Sequence, residues 1–76
     1  MSTLEEMGHV MRAVPGPAAS TYEVADWYRR KARLLDHLAN GGPAAEARRM
    51  HALADAARRH AAELLSLAQN DLAKAS

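Results

Sequence analysis

The sequence predicts an all-α fold. It reads as an antiparallel helical hairpin, a short middle helix and a long C-terminal one, with a weak N-terminal helix, assembling as a dimeric helical bundle. Three observations carry this reading. Among 76 residues there are 18 alanines, 9 leucines and 8 arginines against three aromatic residues, a composition of strong helix formers. Two proline/glycine breaks, Val14-Pro-Gly-Pro-Ala18 and Asn40-Gly-Gly-Pro43, divide the chain into segments that no single helix crosses. Between the breaks, apolar residues recur every three or four positions.

One domain spans residues 1–76: a weak helix at 3–14, a Pro/Gly linker at 15–20, a helix at 21–40 and a long helix at 43–74. The middle helix opens on a capping box, Ser20-Thr-Tyr-Glu23, in which hydroxyl and carboxylate each satisfy the other's free amide. Val24, Tyr28, Lys31, Leu35 and Leu38 then form its stripe, flanked by Trp27 and Leu34 and polar only at Lys31. Asn40 or Gly41 suits a left-handed cap, and Pro43 suits the first turn of the next helix. So short a connection sets the two helices antiparallel.

The long helix carries Met50, Ala54, Ala57, Ala61, Leu64, Ala68 and Leu72 at the same period. Alanine along that line lets two helices approach closely. A turn at Gly41–Gly42 pairs residues whose numbers sum to 82–84, which sets Asp36 against Arg48, Arg29 against Asp55, and Trp27 level with Ala56 and Ala57. The first segment is capped by Ser2 with Glu5 or Thr3 with Glu6, and Gly8 weakens it by up to ~1 kcal/mol. Twelve such residues need a surface to lie on.

At 1.5 Å per residue the middle helix spans ~28 Å and the long one ~46 Å, so roughly the last twelve residues overhang. The expected interface is therefore Trp27 with Leu64, Leu65, Leu67 and Leu72, since leaving the leucines in water forfeits on the order of 1.5–3 kcal/mol each. Either the first segment folds back over the overhang or two chains pair. A combination is favoured, a homodimer around the long helices with the first segment mobile or domain-swapped. Another protein held through the same helix end is the variant.

Chemistry is harder to find. The absence of cysteine removes disulfides, thiolate metal sites and cysteine nucleophiles. His51 and His60, nine residues apart, fall on opposite helix faces, His37 and His51 lie at different levels of the hairpin, and His9 is in the weak first segment. Ser2, Thr3, Ser20 and Thr21 read as caps and Ser66 has no base beside it. No catalytic residue, metal or cofactor is expected, and the function predicted is a non-enzymatic interaction module, a small adaptor or regulatory protein. The alternative is a small DNA-associated transcriptional regulator using Arg29, Arg30, Arg33, Arg48, Arg49 and Arg59. A net charge of +1 with acids interleaved disfavours it. An acidic start, Leu4-Glu-Glu6, and the lack of a ~20-residue apolar run point away from a signal or a membrane span and toward the cytoplasm.

Overall fold

The structure, a computed structural model, describes residues 2–75 and is all-helical: α1 (Thr3–Arg12), α2 (Thr21–Ala39) and α3 (Ala44–Ala75), with no strand among the described residues. No helix among them is long and apolar enough to cross a membrane. The molecule measures 49 × 23 × 18 Å, its long dimension that of α3 alone at 1.5 Å per residue.

Each helix begins where a side chain or proline can replace its missing partners. Ser2 caps α1, its Oγ accepting from the Glu5 amide at 3.2 Å. Ser20 caps α2, accepting from the Glu23 amide at 3.1 Å. The Glu23 carboxylate meets the Ser20 hydroxyl at 3.3 Å, so the box closes through side chains rather than through the expected amide of Ser20. Pro43 lies just outside α3, whose first bond is Ala47 N–H to the Pro43 carbonyl at 2.9 Å. The expected left-handed cap is absent: Asn40 is right-handed (φ −70°, ψ −14°) and no described residue has positive φ. The Gly41 amide tightens the helix end instead by bonding the Leu38 carbonyl at 3.3 Å, a 3₁₀-type closure.

α1 stops at Arg12, two residues short of expectation, because Pro15 and Pro17 bring no amide to its last carbonyls. Ala13 N–H bonds the His9 and Val10 carbonyls at 3.1 and 3.2 Å, and the Trp27 indole Nε1–H donates to the Val10 carbonyl at 2.9 Å. A helix end that solvent would otherwise satisfy is thus fixed to α2. α1 packs on α2 and does not reach α3. The expectation that it folds over the overhang is therefore corrected: α1 has its place on α2.

α2 and α3 pack through alanine. Ala32, Ala54 and Ala57 form the buried centre, with Tyr28 and Leu35 against them, and Ala25, Ala39 and Ala61 extend the line as buried residues. Contacts pair falling numbers on α2 with rising ones on α3: Asp36 with His51, and Tyr28 with His60. These pairs sum to 87 and 88, not 82–84. Helical side chains lean toward the N-terminus of their own helix. Here α2 leans away from the turn and α3 toward it, and one to two residues of lean on each moves the sum up by roughly two to four. The expected pairs Asp36–Arg48 and Arg29–Asp55 are accordingly not formed. Trp27, expected level with Ala56 and Ala57, is turned to α1.

A seam of alanines has no slack. Ala54→Leu, at a position fully excluded from solvent, is expected to destabilise by about 1–3 kcal/mol in urea unfolding, while Ala52→Leu on the exposed side stays within about 0.5. A Cβ on Gly8 meets only the flexible Arg12 guanidinium, at 3.5 Å. Gly8→Ala should therefore raise α1 helicity and stabilise by roughly 0.4–1 kcal/mol; an unchanged melting curve would contradict this.

Candidate functional site

The α2–α3 layer has two unlike faces. On one side Asp36 gathers charges from both helices. His51 Nδ1 hydrogen-bonds Asp36 Oδ1 at 2.8 Å. Arg58 donates Nη1 to Asp36 Oδ2 at 2.7 Å and Nη2 to Asp55 Oδ1 at 2.6 Å. The bonds from Arg58 and then His51 hold the Asp36 carboxyl below its ordinary value, and Asp36 and Asp55 in turn raise Arg58. Arg29 and Arg33 line the shallow groove beside this network with Asp36, Arg58 and Ala62. A second groove, between α1 and α2, carries Glu6, His9, Val10, Arg30, Arg33 and His37, and there His37 Nδ1 hydrogen-bonds Glu6.

The other side is apolar. Tyr28, Leu35, Leu53, Ala56, Ala57 and His60 line a groove with Lys31 at its edge. The Tyr28 ring meets His60 edge-on at 4.5 Å and Trp27 at 5.1 Å between centroids. Lys31 Nζ lies 5.5 and 5.8 Å from the Trp27 and Tyr28 ring centres, so the one charge on the α2 stripe is held by aromatic faces. On α1, Leu4 and Met11 are exposed and sit about 150° around the helix from His9, toward this apolar side.

The predicted interface residues separate. Trp27 is half-buried and joins α1 to α2. Leu64 and Leu65 are half-buried as well: the shifted register carries α2 about a turn farther along α3, so these two are not beyond its reach as expected. Leu67 and Leu72 are 59% and 62% exposed. Nor do the four leucines form one patch. Counting 100° per residue, Leu65 and Leu72 continue the line of Ala54 and Ala61, whereas Leu64 and Leu67 lie on the flank that bears Leu53.

The arginines also divide. Arg29 and Arg33 stand on the charged face, and Arg30 pairs with Asp26 at 3.0 Å. Arg48 and Arg59 lie on the edge of α3 away from α2, and Arg49 is displaced toward the apolar flank. Sequence reasoning missed Arg58, the arginine with most partners, and the Glu6–His37 and Asp36–His51 contacts. The Asp36–His51 contact becomes readable once the lean of the side chains is included, whereas Arg58 reaches Asp36 from farther along α3 and Glu6–His37 depends on where α1 lies on α2. No cluster of three or more metal-ligating side chains occurs among the described residues.

Comparison with models of known families, with characterised proteins and with solved structures gives no match to this chain. What it does has to be argued from its surface.

The Asp36 network makes stability depend on acid. Its folded-state pKa lies below the ordinary value of 3.8, so its contribution is whole above that value and fades as pH falls through the folded one. The gap in melting temperature between wild type and Asp36→Asn, followed by circular dichroism, should be widest near neutrality and narrow as the pH falls below the ordinary carboxylate value. A gap that does not narrow would contradict the assignment.

Proposed function

We propose that this chain is a non-enzymatic protein–protein interaction module, a self-associating helical hairpin that serves as a small adaptor or regulator. The observation that supports it is a surplus of surface. A folded monomer of 8.2 kDa has an accessible area of about 4,500 Å² by the usual scaling. This one has 5512 Å². The surplus of roughly 1,000 Å² is close to the ~800 Å² that each partner buries in a standard interface. It arises because the seam is alanine and no large side chain among the described residues is fully buried. The bulky apolar groups are left outside, with Leu53, Leu67 and Leu72 exposed on α3 alone. A domain of this size without a disulfide commonly completes its core by oligomerising.

The arginines support nucleic-acid binding less well, because they point in several directions and Arg30 and Arg58 are engaged with carboxylates.

Leu67→Asp tests the proposal. The side chain is mostly exposed, so the variant keeps its helicity, yet a charge at a protein interface is costly. Light scattering after size exclusion is expected to give twice the 8.2 kDa chain mass for wild type and the single chain mass for Leu67→Asp. A wild-type protein that runs as a monomer at high micromolar concentration would overturn it.

A further inference from the structure

The exposed flank of α3 has a feature that fits a second copy of itself. At 100° per residue, an arc of about 80° centred on His60 lies a quarter-turn from the alanine seam. It contains the exposed large apolar residues of that flank, Leu53 and Leu67, which keep 51% and 59% of their surface in solvent. Any arc centred on one residue is symmetric in spacing, so spacing by itself decides nothing. Residue types do decide. In an antiparallel pairing about a two-fold axis at His60, residues whose numbers sum to 120 meet. Leu53 then meets Leu67 of the second copy. Ala56, small, meets Leu64, large. Arg49 meets Asp71, and Glu46 meets Lys74. The symmetry repeats each pair, so four leucine-bearing contacts are flanked at both ends by two acid–base pairs.

Slipping the register by one heptad destroys this. A sum of 113 sets Leu67 against Glu46, and a sum of 127 sets Leu53 against Lys74. Within the single chain, Glu46, Arg49, Asp71 and Lys74 are all exposed and none is in an ion pair with another described residue. Charged residues flanking an apolar seam fix orientation and register in helical pairs, and the isologous geometry requires each contact to recur with the partners exchanged.

We infer that two copies pair antiparallel through the Leu53–Leu67 flank of α3, with the two-fold axis at His60. This rests on the self-association proposed above and names its surface and register. The occupant is a second copy because the complementarity is of this sequence with itself, and because the area left over matches one half of a standard interface. The apolar groove beside Tyr28 and Leu35 lies along the same flank, so the second α3 also closes against α2. Leu72 and Leu65 lie outside this flank, on the seam line.

The chain has no cysteine, which makes single-cysteine crosslinking clean. His60→Cys places two thiols at the axis, within the ~4.4–6.8 Å Cα separation a disulfide needs. Leu72→Cys places them 24 residues apart along the pair, about 36 Å. Under mild oxidation His60→Cys is expected to give a covalent dimer on a non-reducing gel and Leu72→Cys none. Arg49→Glu is expected to weaken the dimer about tenfold (about 1.4 kcal/mol), and Arg49→Glu with Asp71→Arg to restore it. A dimeric wild type in which His60→Cys stays uncrosslinked and the double reversal gives no rescue would overturn the register while leaving self-association standing. A monomeric wild type would overturn both.

Discussion

Alanine sets how close α2 and α3 stand. With Ala32, Ala54, Ala57 and Ala61 buried between them, the helix backbones approach nearer than leucine would permit, and the seam fills without any bulky side chain. Close packing of this kind is rigid but shallow. It removes little apolar area from water per residue, and large side chains have no room inside. Tyr28, Leu35, Leu53 and His60 are therefore arranged along the edge of the seam, where they form a groove rather than a core. The length of α3 makes the shape elongated: the radius of gyration is 14.4 Å, against about 11.4 Å for a compact chain of this length.

The arrangement of charge follows from the same geometry. Once the seam fixes the two helices, one flank brings Asp36 to His51 and Arg58, and the opposite flank brings Lys31 to two aromatic rings. On the first flank Asp36 and Asp55 are engaged within the chain, while Arg29 and Arg33 stand beside them in the shallow groove. On the second, Leu53 and Leu67 of α3 remain exposed among the described residues, and α1 is held on the far side of α2 by the Trp27–Val10 bond. The self-association proposed for this molecule draws on that distribution of exposed apolar surface.

Much of the fold was readable from local rules. Ser20 and Glu23 announce α2, the two prolines and glycine of residues 15–17 end α1, and the Gly-Gly-Pro turn separates α2 from α3, since each of these is decided within a few residues of chain. Register was not readable by counting from the turn, because the lean of side chains on opposed helices adds a turn's worth of offset. That offset moved Leu64 and Leu65 under α2 and left only Leu67 and Leu72 of the expected interface exposed. Trp27 illustrates another limit. Its aromatic bulk suited the seam, but the free carbonyl at the end of α1 offered its indole a hydrogen bond, a partner 17 residues away that helical periodicity does not report.

If, as proposed, a second copy completes the folding of this chain, a linkage experiment reads it without altering a residue. When association and folding are coupled, mass action makes the melting temperature depend on protein concentration. Thermal unfolding of the unmodified chain, followed by circular dichroism over a wide concentration series, should show a melting temperature that climbs steadily with concentration. A melting temperature that stays constant across the series would contradict the account.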